Sequence, residues 1–340
     1  MSNGFPEGRQ RAAPTIRDVA AKAGVSISTV SHTLSGKRPI SEATRLRVLE
    51  AIDALNYSTN ALAASMRRGR SGLIGMIIRP RDAIRGSLGG TDNFLRLIGA
   101  AAVRALEQGL GLVHVPNTSD GFDATLPVEG YIVASPYFED AVLVQALRTG
   151  LPVVTIDGVP EDPNVDPGWN VRVDYESGVA QALSQLTDLE RTPAALIIGT
   201  EENQWRRAIR STVAEVYRDH LELLTEIELY EGEGVAGAAV TAESLLDHGF
   251  RRFLVAASRF GVGVSQAAQA RGLSVPKDVE IVSFTDSRMA EVNHPPLTAV
   301  DLMLDEAGHR GVELLIARLE GRTVEPRTVA TEVHRRGSTR

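Results

Sequence analysis

The chain has 340 residues, 43% of them hydrophobic, no cysteine and a formal net charge of −7. That length points to two or three domains rather than one core, and the missing cysteines exclude a disulfide framework and any thiolate-bound metal. No apolar run reaches membrane-spanning length, and residues 1–14 lack the apolar core of a signal peptide, so a cytoplasmic location away from any membrane is expected. The charge is uneven. Residues 1–70 hold 11 Lys and Arg against 5 Asp and Glu, while the remainder holds 25 against 38. A basic head on an acidic body points to a polyanionic partner for the head alone.

Residues 1–14 read as a disordered tail of Gly, Arg, Gln and Pro. Thr15 followed three residues later by Asp18 has the form of a capping box, so a helix is expected from Ile16, with Val19, Ala20 and Ala23 facing inward. Gly24 suits a left-handed stop. Ser26 can cap a second helix, from Ile27 to about Leu34, with Val30 and Leu34 inward and Ser28, Thr29, Ser31 and His32 outward. Ser41 caps a third helix whose apolar stripe is expected to be Leu46, Leu49, Ile52 and Leu55. Two short helices around a glycine turn, supported by a third, make a helix-turn-helix. Small polar residues on its second helix allow close approach to a DNA groove.

The stretch "TIRDVAAKAGVSISTVSHTLSG…ISEATRLRVLEAIDALNY…NALAASMRRGRSGLIG" (15–75) resembles the head of the LacI/GalR family of transcriptional regulators. The resemblance implies a head at 15–59 and a hinge helix with its linker at 60–70. By position, Ile27, Ser28 and His32 would face base edges, and Thr15, Ser26, Thr29 and Ser31 would contact phosphates. Asn60, Ala63, Met66 and Arg67 would complete the DNA-binding set from the hinge, lying on the minor groove. His32 stands where Arg is common in the family, and Met66 where a Leu wedge is usual.

From Leu73 onward, short apolar runs alternate with helix-length segments. Strands are expected at 73–78, 110–115, 129–134 and 152–157, then in a second set at 170–174, 194–199, 252–257 and 279–284. Helices are expected at 93–108, 139–149, 176–189 and 235–248. This alternation argues for parallel sheets covered on both faces, arranged as two lobes with a ligand crevice at the carboxyl ends of the strands.

"VRVDYESGVAQAL", "GLSVPKDVEIVSF" and "HPPLTAVDLMLDEAGHRGVELLI" are similar to landmarks of that family's effector domain. The resemblance implies a two-lobed α/β fold like that of periplasmic sugar-binding proteins over 71–340. Lobe 1 would be about 71–171 and 298–321, and lobe 2 about 172–297 and 322–337. The chain would cross between lobes near 171–174, 296–298 and 321–326. Asp157 matches a ligand-side acid of the family. In "SFTDS" Thr285 replaces the gripping Asp, and Asp286 follows it. Arg206 or Arg207 in "WRRAIRS" would fill an arginine role. Phe94, Tyr137 and Trp205 could stack a ring, and Arg79 completes the expected effector set. The family's "AND"-like turn is "AAS" here, at 256–258.

With these landmarks altered, the effector stays open between a sugar or sugar phosphate, another metabolite, and none at all. The resemblance further implies a homodimer on a pseudo-palindromic double-stranded DNA operator, most simply as a repressor.

Enzyme chemistry lacks signals. "GVGVS" (261–265) is not a dinucleotide fingerprint, and no phosphate-binding loop, nucleophile elbow or helical zinc pair occurs. No cofactor or metal is expected. The acids at 201–202 and 231–233 are expected in solvated loops.

Overall fold

The computed structural model describes residues 14–35, 38–55, 71–79, 92–119, 121–188, 191–325 and 328–340. The expected tail and the hinge residues Asn60, Ala63, Met66 and Arg67 lie outside them. The chain divides into two compact units between Ser71 and Gly72.

In the first unit, α1 (Ile16–Ala23), α2 (Ile27–Ser35) and α3 (Glu42–Leu55) surround a small core of Val19, Ala20, Ala23, Val30, Val48 and Ala51. The capping box forms: the Asp18 amide donates to Thr15 Oγ1 at 3.4 Å, and the Thr15 amide donates to Asp18 Oδ2 at 2.7 Å. The Thr15 amide and hydroxyl, both donating to Asp18 Oδ2, hold the Asp18 carboxyl below its ordinary pKa. Gly24 ends α1 in the left-handed region (φ 64°), and the Thr29 amide donates to Ser26 Oγ at 3.1 Å, capping α2.

The expected inner faces need correction. Leu34, Leu46 and Leu49 are 40%, 52% and 40% exposed. The buried stripe of α3 runs through Val48 and Ala51, with Ile52 and Leu55 packed beside it. Small α1 residues bring the helices close enough for valine and alanine to fill the core, leaving no room for the larger leucines.

In the second unit, β1 (Leu73–Ile78), α4 (Asp92–Glu107), β2 (Gly111–His114), β3 (Tyr131–Ala134), α5 (Ala141–Arg148), β4 (Val153–Ile156) and β5 (Asn170–Val173) build the first lobe. There follow α6 (Tyr175–Leu183), β6 (Ala194–Ile198), α7 (Gln204–Val216), β7 (Leu224–Glu228), α8 (Gly234–Asp247), β8 (Arg252–Val255), α9 (Ser258–Ala270), β9 (Glu280–Ser283), α10 (Arg288–Val292) and β10 (Thr298–Asp301). The chain ends with α11 (Leu304–Leu319), β11 (Thr328–Val329) and β12 (Glu332–His334). One sheet has the order β11-β5-β4-β3-β1-β2 and is parallel throughout. The other has the order β12-β10-β9-β8-β6-β7, with only β12 antiparallel. Strands β3, β4, β8 and β9 are buried along their whole length, as strands covered by helices on both faces must be.

The sheets revise the expected lobes. The 170–174 strand, expected in the second set, is β5 and pairs with β4 in the first sheet. β10 pairs with β9, so the second crossing falls at 302–303 rather than 296–298. β11 joins the first sheet and β12 the second, so the third crossing falls at 330–331 rather than 321–326. The first crossing lies between Val173 and Tyr175.

The crossings are tied together. Thr331 Oγ1 donates to the Asp174 carbonyl at 3.1 Å, and Arg96 of α4 bridges Asp301 and Asp305, at 2.8 and 2.7 Å, across the second crossing. Two glycines permit close helix packing. A Cβ on Gly308 of α11 would lie 2.3 Å from the Leu97 carbonyl of α4, and one on Gly263 of α9 would lie 2.5 Å from the Val235 carbonyl of α8.

Candidate functional site

The first unit presents one polar helix face. Val30 points α2 into the core and is fully buried. One helical turn separates Ile27 from Ser31 and Ser28 from His32, so these four share the outer side. Ile27 is 45% exposed. Ser26 Oγ lies 2.7 Å from Ser28 Oγ and 2.8 Å from Thr29 Oγ1, a chain of exposed hydroxyls at the N-terminus of α2. Thr15 is likewise exposed, at the N-cap of α1. Two N-terminal helix ends carrying small hydroxyl side chains can donate to phosphate oxygens.

The second unit holds a cavity of about 120 Å³ between its lobes. It sits at the carboxyl ends of β4, β6, β8 and β9, where an α/β crevice forms. Of the expected effector residues, Phe94, Asp157, Trp205, Arg206 and Thr285 line it.

Asp157 directly follows β4 with φ at +57°, a conformation that Asp tolerates better than most residues. It is 3% exposed. Its carboxylate accepts from the Tyr175 hydroxyl and from the Val173 amide. Burial pushes the Asp157 pKa up to about 7, against the lowering effect of these two bonds, and the nearby Glu176 adds to the rise. Burial raises the Tyr175 phenol as well, with Asp157 contributing. Trp205 stands edge-on to Tyr175, ring centroids 4.9 Å apart.

Four expected residues lie outside the cavity wall. Arg79 is buried and donates to Asp140 at 2.6 Å and to the Thr118 carbonyl at 3.0 Å, with its guanidinium 5.0 Å from the centroid of the Tyr137 ring. It clamps the first lobe's loops. Tyr137 Oη lies 2.7 Å from Glu201 Oε1, and Tyr137 forms a bridge pair with Asn203, so it joins the lobes. Arg207 lies over Phe138, 4.9 Å from the centroid, and reaches Glu161 at 3.5 Å. Asp286 turns away to accept from Arg336 at 2.6 and 2.8 Å, with His334 Nδ1 at 2.7 Å. The hydrogen bonds from Arg336 and His334 hold its carboxyl below the usual range, outweighing the larger raising effect of burial.

The structure adds residues to the wall. Arg259, early in α9 and 6% exposed, reaches the cavity. Burial lowers its pKa against the opposing pull of Glu231 and Glu201. Glu231 corrects the solvated-loop expectation: it is 8% exposed and accepts from Thr200 Oγ1 at 3.0 Å and the Glu201 amide at 3.3 Å. Gly199 makes room for it, since a Cβ there would lie 1.8 Å from Glu231 Oε1. The signal for Arg259 was present, because it directly follows the altered "AAS" turn. Glu231 carried none, because a "YEGEG" turn reads as solvated. Among the described residues, no cluster of acids and histidines could hold a metal ion, and no helix is long and apolar enough to cross a membrane.

Residues 15–60 match the family described as bacterial regulatory proteins, lacI family, and residues 145–339 match the periplasmic binding protein-like domain. The chain belongs to the lacI family. As such it is a DNA-binding transcription regulator with a periplasmic-binding-protein-like domain. It is 28% identical to the ribose operon repressor of Escherichia coli K12, covering 92% of this chain and 94% of the relative. It is 26% identical to catabolite control protein A of Priestia megaterium, with the same coverage. A crystal structure of the lac repressor dimer bound to operator and an anti-inducer shares the fold, with a TM-score of 0.79 at 23% identity over 96% of this chain and 99% of that one.

Proposed function

We propose that this lacI-family regulator is a homodimeric repressor of a pseudo-palindromic operator, controlled by a small molecule bound between the lobes. The observation that carries the reading is the pairing of two features in one chain: an exposed polar α2 in a helix-turn-helix, and a lined cavity at the joint of a two-lobed unit. Ile27, Ser28 and His32 read base edges, while Thr15, Ser26, Thr29 and Ser31 hold phosphates. Two heads related by a two-fold axis require matching half-sites.

A ligand that favours one angle between the lobes shifts the population of that state, and coupling to DNA follows from its differential affinity for the two. Relatives named as regulators fit a protein that is not an enzyme. One relative is a ribose operon repressor, so a sugar is one candidate ligand.

The experiment is recovery of bound DNA across the genome with the full chain, followed by electrophoretic shift on the recovered sequence. A palindromic consensus bound by a dimer is expected. Absence of any sequence-selective shift at ordinary salt would return the molecule to a solute-binding or enzymatic reading.

A further inference from the structure

The wall of the inter-lobe cavity narrows the chemistry of its occupant. A sugar needs many polar groups to grip its hydroxyls, and here several are already engaged. Asp286 is held by Arg336 and His334. Ser258 Oγ lies 2.6 Å from Ser287 Oγ, and Thr285 Oγ1 accepts from the Ser258 amide at 2.9 Å. Arg206 is bound by Glu228, with Glu202 3.4 Å away. The wall also carries four aromatic residues, Phe94, Tyr175, Trp205 and Phe260, beside the polar Asp92, Asn93, Ser135 and Asn203.

The charges are unequal between the lobes. On the second lobe, Arg259 is matched by Glu231 and Glu201. On the first, among the described residues Asp157 is bonded by neutral groups alone, the Tyr175 hydroxyl and the Val173 amide, with no Lys, Arg or His bonded to it. The charged neighbour that acts on it is another acid, Glu176.

We propose that the occupant is a small organic cation, an amine carried on an apolar or aromatic ring, with its ammonium group against Asp157 and its ring among Phe94, Trp205 and Phe260. This rests on reading the cavity as the effector site. An ammonium group supplies the counter-charge that Asp157 lacks, through a charge-assisted hydrogen bond. Burial that raises the carboxyl to about 7 is offset once a cation is beside it. Aromatic walls favour a cation over a neutral ring of equal size.

The test uses the full chain and four probes: benzylamine, benzyl alcohol, benzoate and glucose. Calorimetry and thermal unfolding are run at about pH 7.5, where the amine is charged. Benzylamine is expected to bind and to raise Tm, about tenfold tighter than benzyl alcohol, as a buried charge pair confers. Benzoate and glucose should give no shift. In Asp157→Asn the amine should lose its advantage over the alcohol. Asn adopts the +57° conformation readily and can accept from Tyr175 or from Val173 though not from both, and retained binding of benzyl alcohol reports that the variant keeps its fold. Trp205→Ala should weaken amine and alcohol alike. Equal binding of amine and alcohol, amine binding unchanged in Asp157→Asn, or no amine binding overturns the proposal. Glucose binding that is lost in Trp205→Ala would leave the cavity as the effector site and remove only the amine. Amine binding indifferent to both substitutions would remove both.

Discussion

The hydroxyl of Tyr175 donates to the carboxyl of Asp157, and the two residues belong to different lobes. Asp157 ends a strand of the first lobe, while Tyr175 opens the helix that begins the second. The bond therefore crosses the joint just beyond the first chain crossing. It also sits in the wall of the cavity, so any ligand there meets the joint directly.

Burial of the Asp157 carboxyl has a pH signature, which the bond from Tyr175 only reduces. An acid whose folded-state pKa is raised stabilises the fold below its ordinary value and loses that stabilisation as pH rises to the folded value. For Asp157 the window runs from 3.8 to about 7. Tyr175 and Glu176 also act on it, and both remain in the variant. Between about pH 5 and pH 8 the wild type is expected to lose roughly 3 °C or more of Tm relative to Asp157→Asn. Parallel changes in the two proteins would mean that Asp157 titrates normally.

His32 is predicted to read one base. Imidazole offers a single hydrogen bond to a guanine acceptor where arginine offers two. His32→Ala should cost about 1–3 kcal/mol at one base-pair position of each half-site, measured by competition among operator variants. A uniform loss on all sequences would make it a backbone contact.

Tyr137→Phe should loosen the closed joint. It removes the hydroxyl that lies 2.7 Å from Glu201 on the facing lobe. A neutral donor to a carboxylate at a half-buried site contributes about 1 kcal/mol. A roughly fivefold weaker ligand affinity is expected, with Tm of the free protein nearly unchanged. Unchanged affinity would show that Tyr137 bonds the Arg79 carbonyl instead, which lies 2.8 Å away.

Asp286→Ala is predicted to destabilise the second unit without altering ligand affinity. The substitution strands Arg336 and His334, which hold the final segment against β9. Removing one member of a buried ion pair costs several kcal/mol. Because Arg336 is 19% exposed, about 2–3 kcal/mol is the expected loss by denaturant unfolding. Ligand affinity lost without stability would return Asp286 to the binding site.

The apolar strands and the capped helices were legible in the sequence because each carries its own period and its own punctuation. Every expected strand has a counterpart, and Thr15, Gly24 and Ser26 do what their types suggest. The strands β7, β10, β11 and β12 were not legible. The "LTEIE" of β7 is an edge strand with no buried residue, so it lacks an apolar run. β10 is four residues long and follows a pair of prolines. β11 and β12 are shorter still and exist only through partners far away in sequence. Five of the nine expected effector residues meet in the cavity. The others were matched by position alone, and position does not reveal which neighbour captures a side chain. Asp286 is the plainest case, since Arg336 stands 50 residues away.

The three crossings make each lobe depend on chain that emerges late from a ribosome. The first sheet takes its edge strand from 328–329, and the second takes β12 from 332–334. Ser338 then inserts between two strands: its carbonyl accepts from the Ile281 amide at 3.0 Å, and its Oγ accepts from the Thr298 amide at 2.8 Å. Ser338 is fully buried. A nascent polypeptide therefore leaves the first sheet without β11 until residue 329 is made and the second without β12 until residue 334 is made, while the small head can close on its own contacts at once. Premature termination before Thr328 would leave the DNA-reading element intact on a body with neither late strand in place.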